Sequence, residues 1–273
     1  GVHYQNDKTD IRIAQLDLQW QPGALVEGDL QIASLTIVGL HILRAPSPAA
    51  ANTLPDVRLP IAVHIDRAIV RDFTLGEPGK DPSVTLTEAS LSNAAFEKDR
   101  LSLAQLAVIA PRYRIDVTGN LAPQRAYPMD IAVRWSADGG EYGAFAGRGR
   151  INGDLRQLKI QHQLTAPVPA ELRGTIDNPL TKLGWQGELS WPAIDLHALH
   201  GPWPALTLAG TVRGSGTLNR MHTEGELHSG YQGMHADHRF AVDYDKGMVK
   251  IRRLTAALRE SGASHGHDGG CSD

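Results

Sequence analysis

Cysteine is almost absent. The single one, Cys271, lies in the tail, so the chain has neither a disulfide framework nor a cysteine-built zinc site. Aromatic residues make up only 5% of the 273. Set against plentiful Val, Ile, Leu and Thr, that balance suits thin sheets better than a large globular core. Net charge is −3, so no global field recruits nucleic acid. There is no signal-peptide pattern and no apolar run long enough to span a bilayer.

Convergent chemistry is also missing. There are twelve histidines, but His197 with His200, and His235 with His238, sit three residues apart. On strands or turns that spacing gives no shared ligand face. His265 and His267 lie near Cys271 without a second cysteine or a scaffold to complete a tetrahedral set. Gly147-Arg-Gly149-Arg-Ile-Asn-Gly153 resembles a phosphate loop only loosely. No Lys-Ser/Thr follows it, so a turn is expected there. Acidic residues are scattered, with no pair spaced for glycoside hydrolysis. The chain is therefore not expected to be an enzyme, and no cofactor or metal is expected.

What the sequence does have is a repeat. Ile11-Arg-Ile13-Ala-Gln-Leu16-Asp-Leu18 follows one formula: apolar, any, apolar, any, any, apolar, any, apolar. It returns at Leu30 to Ile37, Val63 to Val70, Val84 to Leu91, Leu101 to Val108 and Val249 to Ala256. A helix would scatter these apolar residues around its axis. In a strand, the doublet between the two halves would throw the second half onto the wrong face. A β-bulge at the doublet cancels that slip. Each unit is thus expected to be a bent strand, apolar on one side. Stacked in register, such strands make either a curved sheet with a groove or a β-sandwich of bulged strands.

Further along, the punctuation changes to Gly-any-apolar, as at Gly149-Arg-Ile151, Gly174-Thr-Ile176, Gly210-Thr-Val212 and Gly225-Glu-Leu227. Glycine within a strand marks a bulge, a bend or a close backbone approach. Units recurring every 15 to 30 residues or so suggest a quasi-linear array. Met248 to Glu260 contains the repeat formula and is expected to be strand rather than helix. Residues 1–263 read as one continuous repeat-built segment with a Pro/Ala linker near 45–54, and residues 264–273 as a disordered or artefactual tail. Opening at Gly1-Val2 without an initiator Met, the chain is expected to be a piece of something longer.

Three segments carry a family resemblance. They are Ile11 to Leu25 leading into Gly28-Asp-Leu30-Gln-Ile32-Ala-Ser-Leu35, Thr53 to Asp66, and Leu183-Gly-Trp185-Gln-Gly187-Glu-Leu-Ser-Trp191-Pro192 followed by Gly210-Thr-Val. Together and in this order they resemble the amino-proximal half of the TamB family, periplasmic components of the translocation and assembly module within the AsmA-like group. The resemblance runs from about Ile11 to Glu260 and implies an all-β, elongated curved sheet, a β-taco or open β-solenoid groove with short helices at most. It also implies a periplasmic bridge that carries phospholipid between the inner and outer membranes, with a linked role in outer-membrane protein assembly. Family members are anchored in the inner membrane by an amino-terminal segment. They meet a BamA-like outer-membrane barrel, TamA, through a carboxy-terminal domain. Neither segment is expected within these residues.

On that reading the groove for phospholipid acyl chains is lined by Ile11, Ile13, Leu16, Leu18, Leu30, Ile32, Leu35, Ile37, Val63, Ile65, Leu103, Leu106, Ile131, Val133, Leu206 and Leu208. Their alternates Arg12, Asp17, Gln31, Thr36, His64 and Arg134 face solvent. Two other readings compete. One is a scaffold that holds outer-membrane protein strands by β-augmentation. The other is a structural β-solenoid stalk with a filled interior.

Overall fold

The computed structural model describes residues 1–6, 9–45, 54, 56–124 and 126–260. The expected tail at 264–273, and most of the Pro/Ala linker, lie outside the described residues. The chain divides into two compact units, Gly1–Gly187 and Glu188–Asp273. The fold is all-β, and in each unit the open, curved sheet is assembled in chain order.

The first unit holds β1 (Val2–Gln5), β2 (Thr9–Gln21), β3 (Asp29–Arg44), β4 (Ala62–Gly76), β5 (Val84–Glu97), β6 (Arg100–Ala110), β7 (Tyr113–Leu121), β8 (Met129–Asp138), β9 (Ala144–Gly153), β10 (Gln157–Ala166) and β11 (Ala170–Asp177). The division falls within β12 (Gly184–Asp195). The second unit continues with a single turn of helix, α1 (Leu196–Leu199), and then β13 (Thr207–Thr217), β14 (Arg220–Tyr231), β15 (Met234–Asp245) and β16 (Met248–Glu260). The segment from Met248 is strand, as its pattern requires. Pro22–Glu27 forms a short 3-10 helix, closed by Gly28 at φ 82°.

The doublets of the repeat coincide with breaks in strand pairing. Ala104 and Gln105 together oppose the single residue Thr118, so Leu103 faces Gly119 and Leu106 faces Val117. On β3, Ser34 faces Gln19 and Ile32 faces Trp20, which leaves Ala33 as the extra residue. On β16, Arg252 is extra between Ile251 and Arg253. In β2 the break is shared: Ala14 and Gly39 both drop out of the pairing, and Gly39 adopts φ 65°. Asp66 opposite Asn93, and Thr87 opposite Asp72, drop out likewise, with Asn93 and Asp72 at positive φ. Each break lets the apolar residues on either side of it keep to one face.

Most neighbours are antiparallel, but β3 and β4 run parallel. Parallel neighbours need a crossover of a dozen or more residues, and residues 45–61 supply it. Its described end is held by Val57 N–H donating to Pro123 O at 2.9 Å and Ala62 N–H donating to Gly28 O at 3.1 Å. Two-residue turns close several of the hairpins. Lys98-Asp99, Gln232-Gly233 and Lys246-Gly247 all have positive φ at both positions, the geometry that matches the twist of the strands they join.

There is little conventional core. Among the described residues only Ile69, Ala94, Ala107, Ala110 and Tyr127 are buried apolar side chains, at 4–8% exposure, and none is large and fully enclosed.

Candidate functional site

Directly paired residues on neighbouring strands share a face of the sheet, so the register fixes what each face carries. In the first unit one row runs Leu18, Leu35, Ala68, Leu91, Leu106, Val117, Val133, Gly149, His162, Leu172, one residue from each of β2 to β11. A second runs Trp20, Ile32, Ile65, Ala94, Leu103, Gly119, Ile131, Ile151, Ile160, Gly174 over the same strands. Leu16, Ile37, Val70, Ala89, Val108, Ile115, Trp135, Gly147, Leu164 and Ala170 form a third. A fourth, from β3 onward, is Leu30, Val63, Phe96, Leu101, Leu121, Met129, Gly153, Leu158 and Ile176.

These rows bring together Leu16, Leu18, Leu30, Ile32, Leu35, Ile37, Val63, Ile65, Leu103, Leu106, Ile131 and Val133. Ile11 and Ile13 lie beyond the break at Ala14, opposite Ile42 and Leu40, outside the four rows. Leu208 belongs to the second unit, in a row with Ser229, Ala236 and Leu258. Leu206 precedes β13 in a turn, where its carbonyl accepts from Leu196 N–H at 2.9 Å.

The intervening rows are mostly polar. One reads Asp17, Thr36, Ile69, Ser90, Ala107, Asp116, Arg134, Arg148, Gln163, Glu171. Gln31 pairs with His64, and Arg12 with His41. Ion pairs tie adjacent strands: Arg71 Nε to Glu88 Oε2 at 3.1 Å, Arg150 Nε to Asp130 Oδ1 at 2.7 Å, and in the second unit Arg213 to Glu188 at 2.6 Å. The hydrogen bond from Arg150 holds the Asp130 carboxyl below the usual carboxylate range. His64 binds Glu97 through Nε2 and Asp29 through Nδ1. The bond to Glu97 raises its pKa, desolvation opposes the rise, and Asp29 adds to it.

This second face is not uniformly polar. Ile69, at an "any" position of the repeat, is 6% exposed. Arg67 and Arg71 lie on the same side of β4 on either side of it, and Thr36 and Ser90 are its partners on the neighbouring strands.

Alternation in exposure follows the rows. Along β10, Leu158, Ile160, His162 and Leu164 are half-buried, while Gln157, Lys159, Gln161 and Gln163 are exposed. At Ala104 and Gln105 two exposed residues stand in succession, the signature of the bulge.

Gly147 to Gly153 is not a turn, contrary to expectation. It forms the end of β9, and its glycines stand in the apolar rows. A Cβ at Gly147 would lie 2.8 Å from Trp135 Nε1 and 2.9 Å from His162 Nε2. The two rings reach over β9 from either side, with centroids 5.9 Å apart and planes at 21°, and Trp135 Nε1–H donates to His162 Nε2 at 2.8 Å. The second unit repeats the device. A Cβ at Gly210 would meet Trp191 and Leu227, and one at Gly225 would meet the Phe240 ring at 2.7 Å. Reading the sequence alone missed these pairs, although the Gly-any-apolar punctuation marked the strands that receive the rings.

Among the described residues no group of three His, Cys, Asp or Glu gathers to hold a metal, and no helix is long and apolar enough to cross a membrane. Hollows occur between charged side chains of the polar face, one bordered by Arg134, Arg148, Arg150 and Glu171.

Comparison with known families matches residues 43–255 to the family described as "TamB, N-terminal domain". The chain belongs to the TamB family. The matched stretch takes in β4 to β15 and most of β16, and so includes most of the apolar rows. The TamB family consists of periplasm-facing envelope proteins of transport and assembly and is not a known enzyme family. No curated protein and no solved structure shows a significant match to the chain.

Proposed function

We propose that the chain is a segment of a periplasmic bridge that carries phospholipid from the inner to the outer membrane, acyl chains seated on the apolar face, with a linked role in outer-membrane protein assembly. In the full-length protein an amino-terminal segment anchors the bridge in the inner membrane. A carboxy-terminal domain meets the BamA-like barrel TamA. The apolar rows form the inner side of the curve.

The observation that carries this reading is an apolar face that, among the described residues, has no second layer over it. A sheet ordinarily buries its apolar side against another element. Here most row residues stay half-buried or exposed, and among the described residues only five apolar side chains are buried. Acyl chains supply the missing layer. Each buried CH₂ is worth about 0.8 kcal/mol, so bringing a sixteen-carbon chain into water costs on the order of 12 kcal/mol. A continuous apolar track removes most of that barrier without a catalytic group. It works best when binding is shallow along its length, and repeated Leu, Ile and Val provide that.

A scaffold reading draws on a different feature. Among the described residues β16 has a strand neighbour on one side only, and Met248, Leu254 and Leu258 are 72–80% exposed. Such an edge accepts a further strand by β-augmentation.

Leu35→Arg and Thr36→Arg in the full-length protein separate the two. A charge placed mid-track stalls passage because its desolvation is costly, whereas the same charge one residue along falls on the polar face. Phospholipid delivery to the outer membrane, followed by pulse labelling, should fall with Leu35→Arg and persist with Thr36→Arg, both proteins being checked for native protease resistance. Undiminished delivery by a folded Leu35→Arg protein would remove the conduit reading and leave the scaffold.

A further inference from the structure

Across the four apolar rows, polar side-chain atoms occur only at Trp20, Trp135 and His162. Trp20 stands on β2, near one side of the unit. Trp135 and His162 stand together on β8 and β10 and cover the glycines of β9. Packing alone does not call for this choice. Two leucines or a phenylalanine would fill the trough without bringing N–H groups onto an apolar surface.

The hydrogen bond has a chemical consequence. Trp135 Nε1–H donates to His162 Nε2 at 2.8 Å. Nε2 is therefore the acceptor nitrogen, and the neutral ring carries its proton on Nδ1. Among the described residues nothing accepts from that Nδ1–H. Trp135 thus sets His162 as a donor on a face that otherwise has almost none. The ring is half-buried, so water reaches the donor when the face is empty.

The geometry points to Trp135–His162 as a head-group contact: His162 Nδ1–H binds an anionic oxygen at the head of an acyl lipid whose chain lies along the apolar rows. The oxygen belongs to a free fatty carboxylate or to a phospholipid phosphate. This rests on the acyl-binding reading above and adds a fixed polar point to an otherwise unspecific track.

The test compares wild type, His162→Phe and His162→Gln in the complete 273-residue chain. The probes are palmitate, dioleoyl phosphatidylglycerol and hexadecane, which has no head. Phenylalanine keeps a ring over the glycines and removes the donor, while glutamine keeps an N–H. Loss of one hydrogen bond to a charged group corresponds to about a tenfold or larger weakening. His162→Phe should weaken palmitate, phosphatidylglycerol or both by that factor and leave hexadecane unchanged, with His162→Gln recovering most of the loss. A palmitate-only effect assigns the carboxylate, and a phosphatidylglycerol-only effect the phosphate. In ¹⁵N-histidine spectra of the wild type, one Nδ1–H resonance, absent from both variants, should move with the affected lipid and not with hexadecane. Equal affinities for all three proteins, or equal weakening of all three probes, overturns the head-group contact while leaving acyl binding intact. Absence of hexadecane binding to wild type overturns the acyl-binding reading and this inference with it.

Discussion

The same eight-residue formula occurs on β6 and on β16, with opposite results for burial. Leu101, Leu103, Leu106 and Val108 on β6 are half-buried between β5 and β7. On β16, Val249, Ile251 and Leu254 are 62–72% exposed, with β15 alone alongside among the described residues. The formula therefore sets which face the apolar residues occupy, and the neighbouring strands set how well they are covered. The two units differ in the same sense. The first unit's rows are mainly Leu, Ile and Val from β2 to β8, and all five buried apolar residues lie there. Rows of the second unit, such as Val212, Gly225, Phe240, Leu254, alternate small residues with rings.

Removing a bulge tests this contrast most severely. Deleting Ala104 shifts the start of β6 by one residue and turns Leu101 and Leu103 to the polar face. The expected loss is about 4 kcal/mol, by analogy with exposing two leucines. Deleting Arg252 makes the same change in β16, where the side chains moved are already exposed, and the urea midpoint should shift far less. Equal losses would show that the bulge matters for pairing and not for the face.

Single charges give the next largest difference. Val133→Asp, in the middle of a covered row, should cost about 3 kcal/mol in urea unfolding. Leu254→Asp, on the exposed strand, should cost less than about 0.5 kcal/mol. If both cost the same, β16 is covered in solution by something further.

Glycine substitutions then sharpen the role of the rings. Gly225→Ala sets a methyl against the Phe240 ring, which should cost about 1–2 kcal/mol. Gly23→Ala meets nothing within 4 Å and should leave thermal stability within about 0.5 kcal/mol of the parent. Near-UV circular dichroism should change with the first substitution and not the second.

The smallest effect is that of pH on His64. Its pKa is raised in the folded protein, chiefly by Glu97 and then by Asp29. The stabilisation is therefore complete below the ordinary histidine value near 6.5 and fades as pH rises through the folded-state pKa. His64→Gln should flatten that slight decline, read as the difference in urea midpoint between acidic and alkaline sides. A decline of equal size in the variant would assign it elsewhere.

Much of this was legible in the sequence because bulges leave a written trace. A doublet inside an alternating strand, as at Ala104-Gln105 and Arg252-Arg253, has a simple strand solution, and pairing breaks occur at both. The parallel pairing of β3 with β4 was not legible. The Pro/Ala linker near 45–54 marks a break between strands but not the direction of the strand that follows, and the connection runs on to residue 61. Gly147 to Gly153 was misread because glycine clusters usually mark turns. Their purpose here depends on Trp135 and His162, which lie at hydrogen-bonding distance only once β8, β9 and β10 are in register. Ile69 escaped because it occupies an "any" position of the formula, on the face whose other residues are mostly polar.

Site-specific photo-crosslinking in cells tests the central claim most directly. A crosslinker placed in the full-length protein at Ile32 or Val133 samples the apolar rows, and one at Gln31 or Arg134 samples the rows beside them. The account predicts phospholipid adducts at Ile32 and Val133 and none at Gln31 and Arg134. Adducts of equal yield at all four positions, or none at Ile32 and Val133 in a folded protein, would contradict it.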